Sequence, residues 1–158
     1  MLTDDKCRLL FASKYDGDYI FAFDNIKDYE LIECKLKLIR KYGNKRLMFY
    51  VLCGFDRNNK YDNDFWYNDI VDVFRRIELL MKYNTLPYIM RFNRYDESPF
   101  RGIYITLARW CNQPSLFKKK SFEEFCSVRN DSEMYLKDFL SATNFSVEYG
   151  NYLTMKWK

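Results

Sequence analysis

At 158 residues the chain has room for one domain with a real core, but it is too short for an eight-unit α/β barrel, which takes about 250 residues. With 14 Tyr, 14 Phe, only 5 Gly and mixed charges summing to +4, the composition excludes a disordered chain and does not by itself imply a nucleic-acid partner. No apolar run nears the roughly 20 residues of a membrane helix, and the acidic start Thr3-Asp4-Asp5 does not read as a secretory leader, so the expected location is cytoplasmic.

Taken in order, Thr3 or Asp4 caps a short first helix that puts Cys7, Leu10 and Phe11 on one face. Asp16-Gly17-Asp18 is a turn, and Tyr19 to Phe23 reads as a buried strand ending at Asp24-Asn25. An amphipathic helix follows from about Asp28 to Tyr42, with Leu31, Ile32, Leu36, Leu38, Ile39 and Tyr42 as its stripe and Gly43 as a left-handed stop. Leu47 to Cys53 is the central strand. It is apolar on both faces, the pattern of a parallel strand covered by helices.

Asp56 to Asp64 is a polar loop before the longest helix, which carries Trp66, Ile70, Val73, Phe74, Ile77, Leu80 and Met81 at helical spacing and stops at Asn84. Pro87 to Phe92 is a third strand. Strands alternating with helices over short connections predict a right-handed parallel βαβαβ unit in an α/β fold. Further helices are expected with Ile103, Leu107, Trp110 and Cys111 inward, from the capping box Ser121-Phe122-Glu123-Glu124, and from Ser132 to Ala142. The end of the chain, with alternating residues on either side of Gly150-Asn151, reads as a terminal β-hairpin. No linker or repeat divides residues 1–158.

The 5 cysteines (Cys7, Cys34, Cys53, Cys111, Cys126) show no Cys-x-x-Cys spacing, and the chain has no histidine. Reduced structural thiols are expected, with no metal or cofactor, and Ser-His and Cys-His hydrolase mechanisms are excluded.

The succession Tyr19-Ile20-Phe21-Ala22-Phe23-Asp24-Asn25, a helix ending Lys41-Tyr42-Gly43, and Met48 to Phe55 resembles the second half of a radical S-adenosylmethionine enzyme barrel. Arg76-Ile77 leading to Leu86 to Met90, and Ala108-Arg109-Trp110-Cys111-Asn112 followed by Ser121 to Phe125, extend the likeness over residues 16–126. The resemblance implies a half-barrel of three parallel strands, with residues 127–158 as an added helix and hairpin. Family members hold an iron–sulfur cluster through a Cys-x-x-x-Cys-x-x-Cys loop after the first barrel strand. This chain has no such loop, so the likeness carries fold and not radical chemistry.

A half-barrel leaves sheet edges to be covered by its own tail, by a second copy or by a foreign macromolecule. The loops after the strands bring Asp24, Asn25, Asp56, Arg57, Arg91, Asn93 and Arg94 to one rim as binding candidates, and Tyr149, Tyr152 and Trp157 are candidates on the tail. Basic residues at Lys35 to Lys41, Lys45-Arg46 and Lys118 to Lys120 offer a weaker case for RNA. The function expected is non-catalytic binding of another protein or ribonucleoprotein, in the manner of a phage or mobile-element inhibitor of host defence such as an anti-CRISPR protein. The alternative is one half of a split radical enzyme completed by another chain.

Overall fold

The computed structural model of the chain describes residues 2–158. Helix α1 (Asp4–Ala12) is capped by the Thr3 hydroxyl, which accepts from the Lys6 N–H, and it buries Cys7 and Phe11. Strand β1 (Tyr19–Ala22), helix α2 (Tyr29–Arg40), strand β2 (Leu47–Cys53), helix α3 (Asn63–Lys82) and strand β3 (Leu86–Arg91) follow, so a helix separates each strand from the next. The sheet is parallel, in the order β1-β2-β3. Helices α4 (Arg101–Cys111), α5 (Pro114–Phe117), α6 (Phe122–Ser127), α7 (Asn130–Ala142) and α8 (Phe145–Thr154) complete the chain.

Local chemistry explains the boundaries. Gly43 and Asn84 both take positive φ, +111° and +49°, in the turns after α2 and α3, where a side chain other than Gly or Asn is strained. Asp62 opens α3 by accepting the Phe65 N–H, and Ser121 and Glu124 form the expected reciprocal capping box.

Two arginines fasten opposite ends of the sheet. Arg40 donates to the carbonyls of Tyr83, Asn84 and Lys45, which lie in the turns leading into β3 and β2. Arg76, buried in α3, donates Nη1 to the carbonyls of Phe23 and Leu52 at 2.9 and 2.8 Å, at the far ends of β1 and β2. The buried Phe23 carbonyl would otherwise lack a donor.

Burial is one-sided. Along β2 the residues Leu47, Phe49, Val51 and Cys53 are buried with Ile70, Val73, Phe74 and Ile77 of α3, while Met48, Tyr50 and Leu52 are only half-buried. The expectation of a central strand covered on both faces is therefore corrected: helices cover one face. Apolar residues on both faces do not distinguish a doubly covered strand from one whose second face awaits a partner.

The expected terminal hairpin is also corrected. Residues 145–154 form α8, kinked at Tyr149 (φ −135°, ψ 22°). Phe145, Val147 and Tyr149 alternate like a strand, but Phe145, Tyr149 and Tyr152 are four and three apart, and that helical spacing decides the outcome. Tyr152 stacks on Phe74 and Phe145 packs against it at a tilt of 48°, while Val147 is 86% exposed.

Candidate binding surface

The uncovered face of the sheet is continuous in register. Ile20, Met48 and Leu86 lie side by side across the three strands, then Ala22, Tyr50 and Tyr88, then Leu52 and Met90. Ile20 is 49% exposed, Tyr88 38% and Met90 45%, which is high for apolar side chains in the body of a sheet. Tyr50 and Tyr88 meet edge to face at 5.5 Å, so the middle of the face is a rigid aromatic pair. Beyond the strand ends, Phe55 (45% exposed) and Phe92 form a second edge-to-face pair at 5.0 Å and carry the apolar surface onto the rim. Exposed apolar side chains are ordinary one at a time; a contiguous set marks a contact surface.

The rim candidates divide into residues already engaged and residues still free. Asn25 caps the turn before α2 by accepting the Lys27 N–H at 2.9 Å. Asp56 accepts the Lys60 N–H at 2.8 Å and holds the loop after β2 in shape. Arg94 forks onto Glu97 at 2.7 and 2.6 Å, reaches Asn59, and lies 4.1 Å from the centre of the Tyr61 ring. It thereby ties the loop after β2 to the 3-10 turn Asn93–Glu97 after β3. Arg91 stacks 4.5 Å from the Tyr95 ring centre. Asp24, Arg57 and Asn93 are exposed and make no hydrogen bond or ion pair through their side chains among the described residues, although the Asp24 charge acts on the Arg76 guanidinium beneath it. The rim is a braced border whose few free polar groups frame the apolar face.

The tail candidates are packing residues. Tyr149 and Tyr152 stack at 5.9 Å, Tyr152 is buried against Phe74, and Trp157 meets Phe117 at 5.7 Å with the Lys118 ammonium 5.3 Å from its ring centre. Helix α8 turns Tyr152 inward, and Tyr149 and Trp157, the latter beyond α8, are half-buried against their neighbours. Of the basic stretch in α2, Arg40 is committed to turn carbonyls, Lys37 lies 3.7 Å from Glu33, and Lys35 donates to the Leu2 carbonyl.

Sequence reasoning missed a polar cluster under the rim. Asp69 accepts from the Gly54 N–H at 2.7 Å and from the Tyr104 hydroxyl at 2.8 Å, joining the turn after β2, helix α3 and helix α4. Burial pushes the Asp69 carboxyl above the ordinary range, opposed by the Gly54 hydrogen bond and by Arg76. The signal was present: positions 69 and 76 lie within the apolar stripe of α3, where a charged residue needs a partner. Gly54 takes φ +72° and a Cβ there would meet Tyr95 at 3.2 Å, so the turn over this cluster demands glycine. The cluster braces the rim, and its groups are committed to each other.

The thiols do not fit an iron–sulfur cluster. Cys7, Cys53, Cys111 and Cys126 are buried, burial pushes Cys126 up to about 12 and raises Cys53 and Cys111 as well, and no three metal-binding side chains converge among the described residues. No helix among the described residues is long and apolar enough to cross a membrane. A cleft of about 610 Å³ between the end of α3 and residues 155–158 has lysines on its wall, but Lys82 is held by Glu33 and Lys156 by Glu124. Comparison with protein-family models, curated proteins and solved structures finds no match to this chain.

Proposed function

We propose that this chain is a non-catalytic binding protein whose uncovered sheet face docks another macromolecule, most readily a protein. The observation that supports this reading is the contiguous apolar set Ile20, Tyr50, Leu52, Tyr88 and Met90 on a sheet face without helices, extended by Phe55 and Phe92. Aliphatic and Met side chains around a central aromatic pair suit a protein surface better than a run of stacked bases, which calls for accessible ring faces and a basic border. Small inhibitors of host defence, anti-CRISPR proteins among them, are one class in which such a chain would work by occupancy alone.

The strands also bound the partner. At about 4.8 Å between strands and about 3.3 Å per residue, strands of 4, 7 and 6 residues present only about 270 Å², well under the roughly 800 Å² per side of a stable interface. A partner must therefore also grip the rim or a sheet edge.

Affinity capture from the natural host, with Tyr88→Asp and Met90→Asp as face variants and Leu31→Lys on the opposite, helical side as control, tests the reading. A stoichiometric partner lost with the face variants and kept with Leu31→Lys is expected. A partner indifferent to the face variants sinks it.

A second reading rests on strand order. Three sequential parallel strands with helices on one face suit the arc of a barrel whose interior would be the uncovered face, given crossovers of the usual right hand. In that reading another chain supplies the remaining strands and all the cluster-binding thiolates, as in a split radical enzyme. Anaerobic co-purification with the product of a neighbouring reading frame carrying the Cys-x-x-x-Cys-x-x-Cys loop would give a brown complex; a colourless preparation and no such neighbour end it.

A further inference from the structure

The two outer edges of the sheet are not equivalent. In β3 the Phe92 N–H donates inward to the Cys53 carbonyl, so the backbone groups of residues 87, 89 and 91 point to the outer edge. Pro87 has no N–H to offer there. Ile89 has both groups taken by Asn112, whose side chain accepts its N–H at 2.7 Å and donates to its carbonyl at 3.1 Å. The β3 edge is thus closed to another strand at residue 87 by proline and at residue 89 by the Asn112 side chain.

The β1 edge has neither device. The Tyr19 and Phe23 N–H groups donate inward to the Arg46 and Tyr50 carbonyls, so the N–H and C=O groups of Ile20 and Ala22 point outward. β2 is the only strand paired with β1 among the described residues, and no side chain takes up these groups as Asn112 does for Ile89. Ile20 and Ala22 are exposed on the apolar face beside this edge, and Asp24, two residues on, is an exposed carboxylate with no cation within 4.0 Å among the described residues.

We propose, building on the binding role of the uncovered face, that the β1 edge accepts an extended segment of a partner protein as a fourth strand. Its backbone pairs with Ile20 and Ala22, its alternate apolar side chains extend the uncovered face, and a Lys or Arg at one end meets Asp24. Hydrogen-bonding groups in a row select an extended backbone over a helix or a nucleic acid. A second copy has less to offer: its β3 edge is closed at residues 87 and 89, and in the antiparallel register that pairs Ile20 with Ala22 it brings to Asp24 the Asp18 carboxylate, already 3.4 Å from Arg46, where a foreign strand can bring a free cation.

The test is selection of short random peptides displayed against the purified full chain, followed by amide hydrogen exchange on the complexes formed with the synthesised winners. Winners should alternate apolar residues with a basic residue near one end, and they should slow exchange at the Ile20 and Ala22 amides. Ala22→Pro removes an outward N–H that makes no bond within the sheet, and it should weaken binding about tenfold or more with an unchanged circular dichroism spectrum. Ile20→Lys is the second variant should Ala22→Pro disturb the fold, and Asp24→Lys should weaken the basic-ended peptides selectively.

Failure to select any peptide that protects the two amides overturns the inference. So do peptides indifferent to Ala22→Pro and Ile20→Lys; if Tyr88→Asp abolishes these, the docking face stands without strand addition, and if it does not, both readings fall. A concentration-dependent dimer dissolved by Ala22→Pro gives the edge to a second copy and likewise overturns the foreign strand.

Discussion

Asn112, just beyond α4, spends its whole side-chain amide on the backbone of Ile89 in β3, accepting the N–H at 2.7 Å and donating to the carbonyl at 3.1 Å. One side chain thereby imitates a neighbouring strand. Asn112→Ala should cost about 1–2 kcal/mol, the usual penalty for unpaired, partly buried backbone groups, and should make the chain associate more as concentration rises because the β3 edge is opened. Urea denaturation and sedimentation velocity measure the two effects; an unchanged midpoint would show that the contact stabilises nothing.

Arg76 and Asp69 form a buried charge system, so losing one member differs from losing both. Arg76→Met strands the Phe23 and Leu52 carbonyls and leaves the Asp69 carboxyl without its nearby cation, so a loss of about 3 kcal/mol or more is expected. Arg76→Met with Asp69→Asn should lose less than the sum of the two single variants, because the isolated buried charge is gone. Additive losses in a double-mutant cycle would mean that the two residues act separately.

The Asp69 carboxyl also sets a pH dependence with a definite sign. Its pKa is raised above the ordinary 3.8 chiefly by burial, so folding favours its protonated form. The stability this contributes is fully present below 3.8 and is lost as pH rises through the folded-state value. Asp69→Asn keeps an oxygen for the Gly54 N–H and cannot ionise. The stability of the wild type relative to this variant should therefore fall as pH is taken from about 4 upward, measured by denaturation at several pH values. A relative stability that rises over that range contradicts the assignment.

Helix α8 gives a test of the correction at the C-terminal end. Gly150 follows the kink at Tyr149 and starts the second helical piece of α8, and a Cβ there would have no heavy atom within 4 Å. Gly150→Ala should stabilise the protein, by at most the roughly 0.5–1 kcal/mol of a helix interior. In a two-residue hairpin turn the same change would destabilise it, so the sign of the shift in thermal midpoint decides between helix and hairpin.

Much of the frame was legible because its signals are local. The apolar run Leu47 to Cys53 matches β2 to the residue, Gly43 and Asn84 take the positive φ their positions in the chain suggested, and Ser121 and Glu124 form their capping box. What the chain does not print locally is which of two competing periods wins. Residues 145–149 satisfy a strand and a helix alike, and only packing of Phe145 and Tyr152 against Phe74 settles it. Nor does a residue's type show whether its site is covered: Leu52 and Val51 read alike in the sequence, yet one lies on the uncovered face and the other in the core. Of the rim candidates, Asn25 and Arg94 lie just after strands β1 and β3, and their hydrogen bonds serve the rim itself.

The central claim is that the sheet face carrying Ile20, Tyr88 and Met90 is a contact surface. Its most direct measurement is amide hydrogen exchange on the chain with and without a partner captured from the host. Protection concentrated in β1, β2 and β3, and abolished together with binding by Tyr88→Asp, is expected. Protection confined to α2, α7 or α8, with binding unaffected by Tyr88→Asp, would contradict it.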